Sequence, residues 1–543
     1  MKYSLLIVIT LFCVKSVYSQ VNTEWIARYN RAGNSGDYAS SLKIDALGNT
    51  YVAGSSQDPQ GFEDCTVIKY NSAGILLWVQ HYLGAGNGTD YLNALTLDAS
   101  GNVYATGSSW SDSTARYDCL TIKYNTNGVL QWASKYNGFN LNDDGRSIVV
   151  DNSGNVYVTG KSDSAAVNSG GFMTLKYSSA GVLQWAVRKF GSLNSFDAAV
   201  SIAVDNLANV FITGSNRINP NNTDYVTIKY NSNGAEQWLA RYYGPGNAND
   251  DVKSLVLDTS GNVYITGVSW GNGNSDCATI KYNSAGAQLW TARYNGSAND
   301  YDEASSIAVD AYGNVFITGR TAISPANYDM LTLKYNSSGT QQWANTYNGS
   351  GNRFDVGNEI VCDNAGNIYV TGNTQTDTIG TTDYTTIKYN TSGVLQWSKN
   401  YDGGTNLYDY VVGIKLNAFN DVFVTGSSIG PGTGYDIVTI KYSQVVAVNT
   451  ISNLLPNKNK LYQNYPNPFN PSTGIRFDIP QSAIVKITIY NILGRIVQML
   501  TNEFKTAGSY EINFDASTLA SGTYFYKITA GNFTDIRKMV LLK

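Results

Sequence analysis

The sequence contains few of the residues on which most catalytic and metal sites depend. Among its 543 residues there are one histidine, His81, and five cysteines. A Ser-His-Asp triad needs a histidine beside its nucleophile, and a structural zinc site needs several His or Cys ligands. The repeats described below have Arg, Lys, Thr or Asn in the place of His81, which favours a solvated position. A Gly-Lys-Ser/Thr phosphate loop is also lacking, so we expect a protein that is not an enzyme.

Charge and long apolar runs are scarce as well. Charged residues make up 14% of the chain, and the net charge of −4 gives no basic surface for nucleic acid or an anionic membrane. The apolar run from Leu5 to Val14, followed by small residues before Gln20, predicts a signal peptide at residues 1–19. No other stretch has 18 apolar residues, so we expect no transmembrane segment.

The cysteines left after the signal peptide do not predict disulfides. Cys65, Cys119 and Cys277 occupy one position of three repeats, where the other repeats have mostly large apolar residues. Cys362 takes a place that is Ile, Leu or Val elsewhere. Cysteine in an apolar position behaves as a small hydrophobic residue. We therefore expect free thiols.

The chain does have a strong internal repeat. Eight times, at intervals of 52 to 54 residues, an apolar run ending in Asp is followed by a Gly-Asn turn, a Thr-Gly strand end, Thr-Ile-Lys-Tyr-Asn and a Trp. Such a period is typical of repeat architectures. The tryptophans are Trp25, Trp78, Trp132, Trp185, Trp238, Trp290, Trp343 and Trp397. The first Trp precedes the first full repeat and the last repeat has none, so the two ends complement each other and predict a closed ring.

Each repeat is predicted to form four antiparallel strands, here labelled a to d. In one copy these are Ser306 to Asp310, Val315 to Gly319, Asp329 to Tyr335 and the strand that carries Trp343, joined by tight turns and one longer loop. Four-stranded sheets repeated radially are typical of a β-propeller. We predict an all-β fold with an eight-bladed β-propeller over residues 20–444, in which residues 24–30 supply the outer strand of the eighth blade. A seven-bladed propeller is the alternative.

The turn motif resembles a known family. Asp-x-x-Gly-Asn-(Val/Ile)-Tyr-(Val/Ile)-Thr-Gly is almost intact at 98–107, 151–160, 258–267 and 363–372. It resembles the bacterial β-propeller repeats related to NHL-type propellers, which are often expected to have seven blades, whereas eight repeats are counted here. Ala208 stands at one turn position that otherwise favours glycine, and we expect strain or an altered turn there.

A second domain follows the repeats. A polar linker is predicted at 445–460, and short strands over residues 461–543 predict a small immunoglobulin-like β-sandwich. This segment is similar to the type A C-terminal sorting domain of the type IX secretion system. The resemblance rests on Tyr465, Pro466, Asn467, Pro468 and Phe469, and on a later Leu-Ala-Ser-Gly-Thr-Tyr-Phe motif that includes Gly522 and Tyr524. It implies the type IX machinery as partner, a Bacteroidota-like bacterium, and a secreted or cell-surface location.

An aspartate also recurs eight residues before the turn of every repeat, and we refer to this set as the ring aspartates. They are Asp37, Asp90, Asp143, Asp197, Asp250, Asp302, Asp355 and Asp409. Position-for-position repetition favours a structural role, in which the carboxylate accepts backbone N–H bonds at a corner or pairs with the recurring Lys. The functional alternative is a ring of carboxylates that binds calcium.

Two tryptophans break the repeat pattern. Trp110 and Trp270 each lie three residues after the Gly that closes strand b, in a b–c loop, where no other repeat has Trp. Exposed loop aromatics can bind the faces of sugars, although local packing is the alternative.

These features favour a secreted or surface-displayed, monomeric binding protein that engages a glycan or a surface protein through its b–c and d–a loops. One alternative is a secreted carbohydrate-active enzyme, a lyase or a glycosidase, because propellers can host both kinds of function. A structural surface or adhesion component is a further alternative.

Overall fold

The computed structural model describes residues 20–543 apart from residues 85–87, 112–115, 165–168, 192–196, 220–221, 247, 272, 325–326, 377–379, 446–447, 453–455 and 518. The predicted signal peptide, residues 1–19, lies outside the described residues. Within the described ranges all regular structure is β, and no helix there is long and apolar enough to cross a membrane. The chain divides into two compact units, one of Thr23–Ser443 and one that includes Gln444–Lys543.

The first unit is built from four-stranded antiparallel sheets. Sheet 1 holds β2 (Asp37–Ile44), β3 (Thr50–Gln57), β4 (Glu63–Tyr70) and β5 (Leu76–Tyr82); sheet 2 holds β6 (Asp90–Leu97), β7 (Val103–Ser111), β8 (Arg116–Tyr124) and β9 (Leu130–Tyr136); sheet 3 holds β10 (Asp143–Val150), β11 (Val156–Ser164), β12 (Ser169–Tyr177) and β13 (Leu183–Phe190); sheet 4 holds β14 (Ala198–Val204), β15 (Val210–Asn219), β16 (Asn222–Tyr230) and β17 (Glu236–Tyr242).

The remaining sheets of this unit continue the same pattern. Sheet 5 holds β18 (Asp250–Leu257), β19 (Val263–Gly271), β20 (Asn274–Tyr282) and β21 (Gln288–Tyr294); sheet 6 holds β22 (Asp302–Val309), β23 (Val315–Ser324), β24 (Asn327–Tyr335) and β25 (Gln341–Tyr347); sheet 7 holds β26 (Asp355–Cys362), β27 (Ile368–Gln375), β28 (Thr382–Tyr389) and β29 (Leu395–Tyr401); sheet 8 holds β30 (Asp409–Leu416), β31 (Val422–Ile429), β32 (Tyr435–Val445) and β1 (Gln20–Tyr29).

The first strands of these sheets surround a central channel. Each is an edge strand of its own sheet, and each packs beside the first strand of the next sheet in cyclic order, β30 beside β2 included. Every first strand has a bulge near its third residue, opposite the Gly that closes strand b. A Cβ on Gly54 would lie 1.8 Å from the carbonyl oxygen of Tyr38, so only glycine fits there. The structure confirms the predicted all-β propeller fold.

A tryptophan of strand d packs on the c–d turn of the next blade, and we call this contact the tryptophan lock. The Trp78 ring lies over the c–d turn of sheet 2, where a Cβ on Gly128 would come within 2.8 Å of it, and its Nε1 donates to the carbonyl of Thr126 at 3.1 Å. Lys69 donates to the same carbonyl at 2.9 Å, and its ammonium group lies 4.9 Å from the centre of the Tyr51 ring. The recurring Lys therefore serves the blade contact, and not the ring aspartates.

The N-terminal strand closes the ring. β1 is the outer strand beside β32, and Arg28 and Lys441 make ion pairs across this seam with Asp436 at 2.8 Å and Glu24 at 2.7 Å. Trp25 of β1 then donates to the carbonyl of Ser72 in sheet 1 at 3.1 Å, as the other locks do. Sheet 8 thus combines β1, from the start of the propeller, with three strands from its end.

One lock differs because of this closure. Sheet 8 has no c–d turn, since β32 leads out of the propeller and β1 enters from the other terminus. Trp397 of sheet 7 is buried, and its Nε1 has no hydrogen-bond partner in the described part of the chain. The turn carbonyl that receives the indole N–H in the other blades is missing there.

The turn with Ala208 keeps the common geometry. Ala208 takes a φ of 60°, and its N–H donates to Asp205 at 3.0 Å, as Gly48 donates to Asp45 at 3.0 Å. The turn is therefore unaltered, and the left-handed conformation is imposed on an alanine, which costs about 1 to 2 kcal/mol.

The four cysteines that the structure describes have free thiols. Cys65, Cys119 and Cys277 are buried, Cys362 is half-buried, and none forms a disulfide. Burial raises the pKa of Cys362 to about 12.

The second unit is a β-sandwich. One sheet has the order β33 (Val448–Ser452), β38 (Gly508–Asp515), β35 (Ser472–Ile479), β34 (Lys460–Leu461), and the other has the order β37 (Ile496–Lys505), β36 (Ala483–Asn491), β39 (Gly522–Ala530), β40 (Phe533–Leu541). Both sheets contribute to one core, with Phe477 and Ile512 from the first and Ile487 and Tyr526 from the second. β33 lies within the segment expected to be a linker. This short strand has two apolar residues, Val448 and Ile451, and therefore gives a weak sequence signal.

Removing residues 20–30 should lower the melting temperature sharply. The deletion uncovers the edge of β32 and takes Trp25 out of its lock, and loss of one packed Trp alone costs about 3 to 5 kcal/mol. Thermal unfolding of the mature chain is the measurement. Ile26→Ser, on the exposed side of the same strand, is the matched control and should change little. An unchanged melting curve for the deletion variant would contradict closure of the propeller by β1.

Candidate functional site

The two faces of the propeller differ in regularity. The turn face carries the a–b and c–d turns, which repeat one geometry, with Gly101 donating to Asp98 at 3.0 Å and Gly128 to Asn125 at 2.9 Å. The loop face carries the b–c and d–a loops, whose sequences differ from blade to blade. Each ring aspartate lies at the loop-face end of its first strand. Variable chemistry is therefore concentrated on the loop face.

The ring aspartates are buried corner residues. Asp90 accepts the N–H of Gly84 at 2.6 Å on one carboxylate oxygen and the N–H of Trp110 at 3.0 Å on the other. Asp250 does the same with Gly244 at 2.6 Å and Trp270 at 3.1 Å. Each of these two carboxylates ties a d–a loop to the end of strand b, and such bonds favour Asp at this position.

Basic residues of strand d reach these corners. Arg293 binds Asp276, at the start of strand c, at 2.9 Å, and also donates to the side chain of Ser269 at 2.6 Å. Arg28 contacts Asp436 and Ser428 in the same way at 2.8 Å each. The expectation that this position faces solvent was therefore wrong for Arg28 and Arg293, whose side chains fold inward toward buried carboxylates. Lys135, Thr346 and Asn400, which take this position in other blades, are exposed.

His81 occupies that position in sheet 1 and is not exposed. Its ring nitrogens lie 3.0 Å from the Tyr29 hydroxyl and 2.9 Å from the Thr66 hydroxyl. Burial, together with the nearby charge of Arg31, lowers the pKa of His81 to about 4. Arg31 from the d–a loop supplies the missing positive charge and binds Asp64 at 2.6 Å.

Burial changes the acidity of several ring aspartates. It raises the pKa of Asp37, Asp143 and Asp355 to about 6, against partial compensation by hydrogen bonds that favour the charged form. The pKa values of the turn residues Asp98, Asp151 and Asp258 shift the other way. Four hydrogen bonds from Asn155, Tyr157 and the Ser153 N–H outweigh burial and lower the pKa of Asp151.

The eight ring aspartates do not form one coordination shell, because each is engaged in its own corner. In the described residues one group of three carboxylates has ligand atoms within 4.8 Å of one another, and it consists of Asp383, Asp402 and Asp409. Asp409 is a ring aspartate, Asp383 is the second residue of strand c of sheet 7, and Asp402 is exposed in the d–a loop that leads to Asp409. Calcium binding stays a prediction, now confined to this group.

The two tryptophans predicted in b–c loops lie instead near the end of strand b, because strand b continues past its Gly and pairs there with strand c. They belong to different sheets. Trp270 of sheet 5 is 41% exposed, whereas Trp110 of sheet 2 is half-buried and packs edge-on against Tyr117, with ring centres 5.2 Å apart. Tyr117 in turn lies 6.0 Å from Tyr91, the residue that follows a ring aspartate. Only Trp110 thus belongs to a larger aromatic group.

A row of exposed tyrosines crosses the junction of sheets 8 and 1. Tyr408 and Tyr410 are stacked with an angle of 5° between their rings, Tyr410 lies 6.0 Å from Tyr435, and Tyr435 lies 5.4 Å from Tyr38. Tyr38, Tyr408 and Tyr410 are each about 40% exposed. We call these four residues the tyrosine row.

The row was missed from the sequence because its key residues occupy a variable place. The residue after the ring aspartate is Tyr in three neighbouring blades and Asp, Ala, Glu or Val in the others: Tyr38, Tyr91, Asp144, Ala198, Asp251, Glu303, Val356 and Tyr410. A comparison of the eight repeats at this position would have indicated one aromatic sector. The loop face is therefore asymmetric, as the loop sequences predict.

A cleft lies next to the row, between Tyr38 and Tyr91. It has a volume of about 390 Å³ and is also lined by Ser55, Glu63 and Asn93. Glu63 accepts a hydrogen bond from the Ser55 hydroxyl at 3.0 Å. An aromatic residue on each side with a few polar groups between them is typical of small-molecule sites.

The sorting-motif residues lie in the sandwich. Phe469 is buried in its core and exchanges backbone hydrogen bonds with β40, whereas Tyr465 is 84% exposed. Pro466, Asn467 and Pro468 are exposed as well. Gly522 begins β39, and the Tyr524 hydroxyl donates to the carbonyl of Ala520 at 2.8 Å. This last bond is typical of the corner of an immunoglobulin-like sandwich.

Comparison with known families agrees with this division. Residues 463–542 match the model of the secretion system C-terminal sorting domain, and residues 78–113, 134–165, 239–274 and 289–325 match the β-propeller repeat. The chain therefore carries β-propeller repeats followed by a type IX C-terminal sorting domain. That domain indicates export to the outside of the cell or its surface. No curated protein matches the chain.

Solved structures with a similar fold are distant. The propeller domain of the Trilobed protease from Pyrococcus furiosus is 7% identical, with 65% of this chain and 93% of that chain covered and a TM-score of 0.38. The polysaccharide lyase Uly1 is 9% identical, with 77% and 92% covered and a TM-score of 0.42. A eukaryotic initiation factor is 7% identical, with 66% and 77% covered and a TM-score of 0.40. Such values give no argument for a shared activity.

The raised pKa of Asp143 predicts a pH effect on stability. Because the folded chain holds a proton on Asp143 more tightly than the unfolded chain, this residue stabilises the fold at low pH, and that contribution is lost as the pH rises from about 4 to about 6. Asp143→Asn should remove about 2 kcal/mol of this dependence. Asp151→Asn, in the same blade, should change the slope in the opposite sense. Urea unfolding from about pH 2 to pH 7 covers both transitions, because the contribution of Asp151 is lost below about pH 4. Parallel pH profiles for the two variants would contradict the assignment.

The calcium prediction is tested by thermal unfolding with and without millimolar calcium. A cation held by the three carboxylates should stabilise the fold by about 2.7 kcal/mol when its concentration is a hundred times the dissociation constant. Asp402→Asn should abolish this gain, while Asp300→Asn, which alters another loop-face carboxylate, should keep it. No response of the unaltered protein to calcium would leave the ring aspartates with their corner role alone.

Proposed function

We propose that this protein is a secreted or surface-displayed binding protein that holds a glycan against the loop face of its propeller. The observation that carries the proposal is the tyrosine row with its adjoining cleft. Exposed aromatic rings offer flat apolar surfaces with polar tips, which suit the alternating CH and OH faces of a sugar. Contiguous exposed aromatic surface on a monomer commonly marks an interaction site.

The geometry suits an extended ligand better than a single small molecule. The row continues from Tyr408 through Tyr38, and beyond the cleft Tyr91, Tyr117 and Trp110 continue the aromatic surface. These rings belong to three consecutive blades. A chain of sugars lying across them would contact several rings, and Glu63 and Asn93 offer polar groups in the cleft.

Support for binding without catalysis comes from the cleft itself. Most glycosidases use two carboxyl groups on opposite sides of the scissile bond. The described lining of the cleft includes one, Glu63, which already accepts a hydrogen bond from Ser55. His81 lies between Tyr29 and Thr66, with a pKa lowered to about 4.

Tyrosine substitutions test the proposal. Tyr38→Ala and Tyr91→Ala should each weaken glycan binding by about 1 to 3 kcal/mol, because each removes one wall of the cleft. Tyr312→Ala is the matched control, since Tyr312 is 77% exposed on the turn face and should not contact the ligand. A glycan array on the mature protein identifies the sugar, and calorimetry on the variants measures the effect.

Substitutions of two kinds of tryptophan separate effects on ligand binding from effects on stability. Trp110→Ala and Trp270→Ala test the platforms predicted from the sequence, and we expect the larger loss of binding for Trp110, which adjoins the aromatic group at the cleft. Trp238→Ala should destabilise the fold by about 3 to 5 kcal/mol, because its ring packs on the next blade. Full binding by the Tyr38, Tyr91 and Trp110 variants would contradict a glycan site here. Capture of a protein by an intact loop face would favour the alternative ligand.

The sorting domain predicts the cellular location of a chain from which it has been deleted. Without residues 461–543, the propeller should cross the inner membrane of a host with type IX secretion and remain folded in the periplasm. Fractionation followed by protease treatment measures this, with the full chain as the positive control. Arrival of the truncated chain at the surface or in the medium would overturn the role of the tail.

A further inference from the structure

At one level of the central channel, near its turn-face end, lysines occur in one sector only. Six residues after the ring aspartate, the first strand has Lys43 in sheet 1 and Lys415 in sheet 8, whose first strands are neighbours. The other six blades have uncharged residues at this place: Thr96, Val149, Ala203, Val256, Ala308 and Val361. The two lysines lie toward the turn-face end of the channel, far along the strand from Tyr38. They are distinct from the loop-face site.

A carboxylate accompanies one of the lysines. Glu359 of β26 stands where most blades have Ser and makes the same bond to the next blade, accepting the N–H of Ile414 at 2.6 Å, as Ser41 accepts that of Leu95 at 3.2 Å. Its other oxygen binds the ammonium group of Lys415. Gly413 gives it room, since a Cβ there would lie 3.3 Å from both Glu359 and Leu42. Strands from sheets 7, 8 and 1 therefore meet at this point.

The nearby turns do not balance the remaining charge. The turn carboxylate of sheet 1, Asp45, is occupied by the N–H groups of Leu47 and Asn49 and by the Tyr51 hydroxyl. In sheet 8 the corresponding turn residue is the neutral Asn417, and Asp421 pairs with Lys441 at 3.1 Å. The sector thus holds two ammonium groups and one nearby carboxylate, Glu359, which contacts Lys415, so it has an excess of positive charge.

Lys43 is the lysine without an assigned partner. It is half-buried and has no ion pair or hydrogen bond within the part of the chain that the structure describes. Burial and the neighbouring Lys415 lower the pKa of Lys43 to about 8, with Glu359 opposing this effect. A half-buried ammonium group without a counter-ion is costly, and an anion between the two lysines would relieve that cost.

We propose that Lys43 and Lys415 form a binding site for a small oxyanion, a carboxylate or phosphate group, at the turn-face end of the channel. The site is independent of glycan binding on the loop face. It has a defined stoichiometry of one per propeller, since only one pair of neighbouring blades carries lysines at this position. Glu359 positions Lys415 and leaves Lys43 as the free cation.

Site-specific protection tests the proposal in the unaltered mature chain. Lysines are labelled at low conversion with an amine-reactive ester, and the rate at Lys43 is followed by mass spectrometry with inorganic phosphate, acetate or chloride at equal ionic strength. Phosphate or acetate should slow labelling of Lys43 at least about fivefold, because a bound anion covers the amine and keeps it protonated. Lys486, exposed in the sandwich, is the control and should not respond.

The effective anion identifies the ligand class. Protection by both phosphate and acetate indicates a general oxyanion site, and protection by phosphate alone indicates a phosphate-bearing ligand. Equal effects of chloride, or no protection by any of the three, would overturn the proposal.

Lys43→Met provides an independent check. The fold should tolerate it, since apolar residues occupy this place in most blades. Calorimetric affinity for the protecting anion should fall at least about tenfold, which corresponds to about 1.4 kcal/mol. Lys486→Met should bind as the unaltered protein does. Undiminished binding by Lys43→Met, with its melting curve intact, would contradict the site; if this variant unfolds, the labelling experiment decides the question.

Discussion

The fold depends on the contact between a strand-d tryptophan and the c–d turn of the next blade. The indole ring needs a glycine beneath it, and the indole N–H and the recurring Lys both donate to turn carbonyls, with Trp78, Lys69 and Thr126 as one example. Because a blade presents a lock to one neighbour and a turn to the other, the contact repeats around the ring. It also requires that the last blade be completed by the other end of the chain, as Trp25 shows.

This constraint separates the two faces. The turns beneath the tryptophans cannot vary without loss of the lock, so the turn face is uniform. On the loop face, the ring aspartates hold the loop ends through backbone N–H groups, which any residue supplies. Side chains there can change while the corner stays intact. The tyrosine row and the cleft between Tyr38 and Tyr91 occupy the surface that this arrangement leaves free. Lys43 and Lys415, at the turn-face end of the channel, are an exception to the uniformity of the turn face.

Much of the fold follows from the sequence because the repeat displays strand, turn and packing residues eight times in the same order. The propeller, the closing strand and the sandwich were predicted on that basis or from the tail motifs. The site was harder, because it consists of departures from the repeat. Tyr38 and Tyr410 lie at a place without a consensus, and the contact of Arg293 with Asp276 depends on the register of the c–d hairpin and on an inward side-chain orientation that the sequence does not display. Trp110 was visible as an outlier, but its contact with Tyr117 depends on the pairing of β7 with β8.

Hydrogen exchange of the mature protein, with and without the glycan that it binds, tests most directly whether the loop face is the binding face. The account predicts slower exchange in the segments around Tyr38, Tyr91 and Tyr410 on addition of the glycan, with the a–b and c–d turns unchanged. Slower exchange confined to the turns, around Gly101 and Gly128 for example, would contradict it.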